Sequence, residues 1–504
     1  MLVVLTCLTL CGAPPSVSVG NASDGHLING KQLPARGEAH EVMRGTRRRG
    51  LHWGTDELVG ALKRAAASVA TAQRGSMLLV GNMSLQGGGD IGPSVSHNSG
   101  RDADLGFYAM DTRGRPVRTP TLVVFDDDGV AGTLRFDTRR NWLLVRAFLT
   151  DKAVQVQWIF CKNALRRRLL EHATKAGEPA ELVARAAEVL GEPGNSSAHA
   201  EHFHVRLYCA RHDRLAGCRN YGPTHAWVDD FQSAVDDAAR TAAADLTGPD
   251  ARALAALDRL KLLRSGVVGG ELVRVVEDSK RARRLRLAAL EVLELLPGLG
   301  AHADRLAARL SETDGELLVA LTRVVAHIAA TSTAEALAGL ATRTGAPSAA
   351  RTKALEGLGR LRHGPALPRV APLLGDPRLA KGADEVLLRT TGRTFGTGKK
   401  GVAKWEAWWS KNATGDRLGW VWSALVDGGA KAATGKTRLR TMRRLVGLMR
   451  PGGALALLAR ELVHDATGYW LEQGHFTDRQ MLRFYTAWLK AGAPSAAPAG
   501  GAEP

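Results

Sequence analysis

The hydrophobic pattern changes texture once along the chain. Between residues 21 and 230, short β-branched and aromatic runs such as "TLVVF" (121–125) and "AVQVQWIF" (153–160) alternate with stretches of helical period. The stretch "TDELVGALKRAAASVA" (55–70) opens with Thr55 and carries Asp56 and Glu57 in its first turn, where carboxylates suit the positive end of a helix. "DTRRNWLLVRAFL" (137–149) and "KNALRRRLLEHATKAG" (162–177) predict two further helices. The expectation is an α+β domain over residues 21–230 with a central antiparallel sheet.

From residue 231 the chain is rich in Ala, Leu and Arg and has almost no strand signal. "RLRLAALEVLELL" (284–296), "ELLVALTRVVAHI" (316–328), "ARTKALEGLGRL" (350–361) and "AKGADEVLLRTTG" (380–392) superimpose, with Leu290, Leu321, Leu355 and Val386 at equivalent places 31 to 34 residues apart. That period, with Pro, Gly or Asp turns between helices, resembles stacked HEAT-like repeats over residues 231–395; an irregular helical bundle is the alternative. Residues 396–490 continue as helices, with Trp470, Phe484, Tyr485 and Trp488 expected to be buried. Trp405, Trp408 and Trp409 sit at i, i+3 and i+4, which suits a core staple closing the array better than a sugar platform. Residues 491–504 read as a disordered tail.

A net charge of +18 favours polyanionic partners without choosing among nucleic acid, anionic lipid and wall polymers. The basic runs "RGTRRRG" (44–50), "RRR" (166–168) and "KRARRLR" (280–286) lack interleaved aromatics, which argues against a nucleic-acid partner. No apolar run is long enough for an integral membrane domain. Residues 1–20 read either as an export signal, although its positive n-region is missing, or as a buried N-terminal segment. Cys7 and Cys11 have poor preceding residues for lipidation. Cys209 and Cys218 flank a polar segment whose spacing suits a small disulfide loop, and hence an oxidising compartment, whereas Cys161 lies in an apolar run as a buried free thiol.

Candidate chemistry lies in two stretches. In "SVSHNSGRDADLGFYAMD", His97 precedes Asp104 with Gly100 between them to bend the chain. In "SSAHAEHFHVRLYC", His202 and His204 alternate on an expected strand, so both imidazoles point to one side, and His199 lies just upstream. A hydrolytic zinc site takes three such ligands and leaves one position open, and zinc lowers the pKa of coordinated water towards about 7. The sequence has no H-E-x-x-H helix to supply a glutamate base, so a histidine on the same strand face, His202, suits that work, while His199 shares it or steadies an oxyanion. Asp102 shares parity with Asp104 and is expected to orient a ligand; Glu201 is expected to face away. The separate alternatives are His97 as a turn cap, Asp104 paired with Arg101 or Arg206, and the H-x-H as a bare strand face. "FDDDGVAG" (125–132) lacks the spacing of a calcium loop and reads as a solvated turn.

"SHNSGRDADLGFY" with "EHFHVRL", supported by "LHWGTDELV" (51–59) and "RFDTRRNWLLVRAFL" (135–149), resembles the penicillin-insensitive murein endopeptidases over residues 26 to 225. These belong to a wider group of zinc peptidases that includes lysostaphin and the D-alanyl-D-alanine peptidases. The resemblance implies that His97, Asp104 and His204 hold zinc, that His202 is the base or transition-state partner and that His199 is a second pocket histidine. The Cys209/Cys218 loop also looks like a family feature. The implied activity is cleavage of peptidoglycan peptide cross-links, D-alanyl–diaminopimelyl bonds by resemblance alone, in the periplasm or cell envelope. The repeats would then offer a surface to a protein partner. The alternatives are a non-catalytic envelope scaffold that binds wall peptides and, favoured by charge only, a nucleic-acid-associated repeat protein.

Overall fold

Alternation along two central strands decides which face of the N-terminal sheet is greasy and which is polar. In the computed structural model, which describes residues 14–427 except 93, 95 and 193–197, together with residue 459, six strands form one sheet. In chain order they are β1 (His40–Val42), β2 (Leu78–Val80), β3 (Asp102–Gly106), β4 (Val156–Phe160), β5 (Leu190–Gly191) and β6 (His202–Leu207). The spatial order is β5-β4-β6-β3-β2-β1. Ala103 and Leu105 of β3, with Phe203, Val205 and Leu207 of β6, join one hydrophobic core. The helices α1 (Asp56–Ala72), α2 (Thr138–Thr150), α3 (Asn163–Lys175) and α4 (Ala180–Val189) supply Leu58, Leu62, Trp142, Phe148, Leu165, Leu169 and Ala186 to that core. The intervening residues Asp102, Asp104, His202 and His204 occupy the other face.

The sheet is mixed, which corrects the expected antiparallel sheet. The four inner strands pair antiparallel, but β1 joins β2 and β5 joins β4 in parallel. A parallel neighbour needs a crossover, and α1 lies between β1 and β2 as α3 and α4 lie between β4 and β5. The run "TLVVF" also fails as a strand. Phe125 is buried and its N–H donates to Ala200 O at 2.8 Å, but Val124 is 66% exposed and 121–125 joins no sheet. Side-chain propensity without a partner strand leaves an extended loop.

Helix boundaries follow local chemistry. Thr55 caps α1 by accepting the Leu58 N–H at 3.2 Å, and Asp137 caps α2 by accepting that of Arg140 at 3.0 Å. Cys209 and Cys218 are joined as a disulfide at the exit of β6, and Cys161 is a buried free thiol. The short loop they close holds Asp213, whose carboxylate accepts the Ser18 N–H at 2.8 Å.

The chain divides into two units between Ala234 and Val235. The second is helical throughout its described part. Leu290, Leu321, Leu355 and Val386 lie in helices Arg283–Leu293, Gly315–Ile328, Ser348–Leu361 and Ala380–Thr391, and all four are buried. In helix Gly398–Asn412, Trp405 is buried and stacks on Trp409 at 4.9 Å, while Trp408 meets Phe395 at 5.6 Å and Trp420 at 5.9 Å. That packing is a staple. The N-terminal apolar run with Cys7 and Cys11, the aromatics Trp470, Phe484, Tyr485 and Trp488, and the tail 491–504 lie outside the described residues.

Leu290, 1% exposed, fills the interior of the helical unit, and truncation leaves a cavity with few atoms free to collapse into it. Leu290→Ala is expected to cost about 2–5 kcal/mol of that unit's stability. A lowered denaturant midpoint for the helical signal checks it.

Candidate metal centre

The register of β3 against β6 brings the candidate residues together. Asp104 pairs directly with His204, and Asp102 with Arg206. Side chains of directly opposed residues point to the same face, so a carboxylate and an imidazole meet side by side. His202 lies one step along the same face, opposite Gly106.

His97 reaches this point from the loop before β3. Gly100 has φ +78°, and a Cβ there would lie 2.8 Å from Leu27, so glycine makes the bend. His97 itself has φ +75°, a conformation costly for a residue with a side chain. The loop is held around it. The His97 N–H donates to Asp102 Oδ2 at 3.1 Å, the Asn98 N–H to Ala22 O at 2.9 Å and Asn98 Nδ2 to Asp90 Oδ1 at 2.9 Å. His199 also has a positive φ, +48°, as the chain turns into β6.

Three imidazole nitrogens converge on one carboxylate oxygen. Asp104 Oδ1 lies 3.3 Å from His97 Nε2, 3.1 Å from His204 Nδ1 and 3.3 Å from His202 Nε2. All four side chains are buried, and His97 Nδ1 has no hydrogen-bond partner. A lone pair on each nitrogen facing the same oxygen would be repulsive, and neutral tautomers that turn all three N–H groups onto that one oxygen would leave His97 Nδ1, His202 Nδ1 and His204 Nε2 as buried acceptors without a hydrogen-bond partner. A divalent cation shared by these donors removes the conflict. The set His97, Asp104 and His204, with its ligand atoms within 4.8 Å of one another, fits the imidazole and carboxylate chemistry of zinc. His199, His202 and His204 form an overlapping group of the same span.

Electrostatics reflects this crowding. Burial works against the charge on Asp104, but His97, His202 and His204 together hold its carboxyl well below the usual range. Burial likewise works against Asp102, and the Arg206 guanidinium, at 2.6 Å, with His204 holds it low. Burial disfavours a charged His202, yet hydrogen bonds to Asp104 and Glu201 push its pKa up to about 9. Asp102 Oδ1 stands 3.4 Å from His204 Nε2, the ring nitrogen turned away from Asp104, so it faces the side of the ring opposite the proposed ion. Arg206 thus pairs with Asp102 and not with Asp104. Arg101 is fully buried and donates to Leu207 O at 2.7 Å and Arg219 O at 3.1 Å, so it also leaves Asp104 alone.

Glu201 was expected to face away by strand parity, but it precedes the first residue of β6, in a bend, and its Oε1 lies 3.2 Å from His202 Nδ1. Strand parity does not extend into a bend. His199 adjoins the pair, with its ring tilted against that of His202 at 4.7 Å and edge-on to that of His204 at 5.6 Å.

Comparison with known proteins adds a family. Residues 18–227 match the family model described as penicillin-insensitive murein endopeptidase. Curated proteins of that name from Escherichia coli (strain K12 / DH10B) and Shigella boydii serotype 18 are 26% identical over 196 residues, covering 38% of this chain and 66% of theirs. The chain thus spans just under two thirds of the length of those relatives. Among solved structures, the complex of CpcE and CpcF of phycocyanin lyase from Nostoc sp. PCC7120 matches at 18% identity and a TM-score of 0.28, over 50% of this chain and 94% of that one.

Two outcomes follow from the geometry. Removing the charge behind His204 by Asp102→Asn is expected to weaken zinc affinity about 10–100-fold, read by competition with a chromogenic chelator. The second concerns pH. His202, raised to about 9, stabilises the metal-free fold fully below the ordinary histidine value and loses that contribution as pH rises through about 9. A protonated His202, its Nε2 3.3 Å from Asp104 Oδ1, competes with a cation for that carboxylate, so metal binding is expected to strengthen over the same interval. The melting-temperature gap between zinc-loaded and chelator-treated protein is therefore expected to widen from pH 6 to pH 9.

Proposed function

We propose, given that residues 18–227 belong to the penicillin-insensitive murein endopeptidase family, that this chain is a zinc endopeptidase that hydrolyses peptide cross-links of peptidoglycan. The observation that carries the reading is the convergence of His97 Nε2, His204 Nδ1 and His202 Nε2 on Asp104 Oδ1 within 3.3 Å. His97, Asp104 and His204 are the proposed ligands. Zinc held there would supply Lewis acidity to the scissile carbonyl and its attacking water.

The protein's own groups do the proton work. His202 is the general base. The Glu201 carboxylate, its Oε1 3.2 Å from Nδ1, favours by its charge a proton on that nitrogen and leaves Nε2 to take one from the water and return it to the leaving amine. The pull of Asp104 keeps His202 protonated in the metal-free protein. A divalent cation held by Asp104 would offset most of that pull, and the imidazole would then exchange protons nearer neutrality. His199, whose ring adjoins that of His202, steadies charge developing on the carbonyl oxygen. The D-alanyl–diaminopimelyl bond is the proposed target, the cell envelope the proposed location, and the helical unit a proposed docking surface for a protein of wall remodelling. Among the described residues no helix is long and apolar enough to cross a membrane.

His202→Gln removes the base while leaving the three proposed ligands. The expectation is a fall of about 10²–10⁴-fold in kcat on cross-linked muropeptide dimers with zinc content unchanged. Dimers that persist with the zinc-loaded wild-type protein would overturn the peptidase reading.

A further inference from the structure

Next to the metal centre, on the same sheet face, lie two aromatic rings that the hydrolytic chemistry leaves unused. Phe160 pairs with His204 and Trp158 with Arg206 across β4 and β6. The two rings stack, with centroids 5.1 Å apart and planes 19° apart, and Phe160 lies 5.9 Å from the His204 ring and 6.2 Å from that of His199. Both residues are partly exposed. Together they extend the site along the strand.

Their orientation is not what simple alternation would give. A regular strand would turn Val156, Trp158 and Phe160 to one face, yet Val156 lies in the core on the opposite side with Ile159. The register shifts between Val156 and Trp158, so Val156 pairs with Leu207 on the core side while Trp158 turns to the metal side. A bulge gives up regular ladder bonding to re-aim a side chain. The irregularity is supported on both sides: buried Gln157 donates to Tyr221 O at 2.7 Å, and His225, edge-on to Trp158 at 6.0 Å, bonds Gln157 O at 3.1 Å through Nε2.

We propose that Trp158, stacked on Phe160, is a saccharide-binding wall that takes the apolar face of an N-acetylhexosamine ring in the glycan strand bearing the scissile peptide. This rests on the peptidase reading above. A pyranose ring offers a flat face of C–H bonds with its hydroxyls at the rim, which matches the face of the partly exposed Trp158 indole turned away from Phe160. An extended peptide needs hydrogen-bond partners for its backbone at every residue, and the pair offers only one indole N–H. Trp158 is two residues beyond Phe160, about 7 Å further along the strand from the metal ligands, so a group stacked there lies outside the scissile bond. It supplies binding without touching the reacting atoms.

Cross-linked muropeptide dimers that carry their disaccharides are compared with the same dimers stripped of sugar. Wild-type protein is expected to cleave the sugar-bearing dimer with about tenfold higher kcat/KM, through KM, a modest binding increment typical of one stacked ring. Trp158→Ala and the bulkier, fold-sparing Trp158→Leu should both lose that preference while cleaving stripped dimers at the wild-type rate. Calorimetric titration with an N-acetylglucosamine tetrasaccharide, independent of hydrolysis, should show binding to wild-type protein that both variants lose. Equal cleavage of both dimers by wild type, equal slowing of both by Trp158→Leu, or no saccharide binding would overturn the proposal. If wild-type protein cleaves neither dimer, the peptidase reading falls, and the titration alone decides the wall.

Discussion

The pairing of Asp104 with His204 across β3 and β6 is the constraint on which the site depends. Because strand side chains alternate, a slip of one residue would bury the carboxylate in the apolar core and bring Ala103 or Leu105 to the polar face. The core prevents that slip. Phe203, Val205 and Leu207 are each nearly inaccessible, and burying them selects the register that also sets His202, His204 and Arg206 on the opposite face. Hydrophobic burial on one side thus organises the chemistry on the other.

The cost of assembling four titratable side chains in a buried place is met locally. Arg206 neutralises Asp102, Asp102 fixes the His97 backbone, and the hairpin of residues 17–28 and the Asn98 bonds keep the loop in its unfavourable backbone conformation. Arg101, buried just before β3 without a carboxylate at ion-pair distance among the described residues, ties that point to the end of β6 and the segment after it through the carbonyls of Leu207 and Arg219. Burial lowers its pKa to about 10, still well above neutrality, so it stays charged. Strain and charge therefore sit in the same few residues, as they do where geometry is preorganised for a ligand.

Much of this was legible from residue order alone. The Thr55 cap, the H-x-H strand and the shared parity of Asp102 with Asp104 are local signals, and local signals survive folding. The short Cys209–Cys218 spacing likewise announced its disulfide. What escaped depended on long-range pairing. "TLVVF" had strand-forming residues but pairs with no strand; the parallel outer strands depend on where crossover helices return; Glu201 sits one residue outside the strand whose parity was applied to it. The turn of Trp158 towards the site is invisible in "AVQVQWIF", because a bulge is defined by the partner strand.

The most direct measurement is elemental analysis of the full chain after dialysis, beside its Asp104→Ala variant. A shared cation at the Asp104 carboxylate predicts near-stoichiometric zinc in the wild-type protein and its loss from the variant, with the fold of both intact by circular dichroism. Zinc absent from a reconstituted, folded wild-type chain, or equal zinc in both proteins, would contradict a metal centre at this carboxylate.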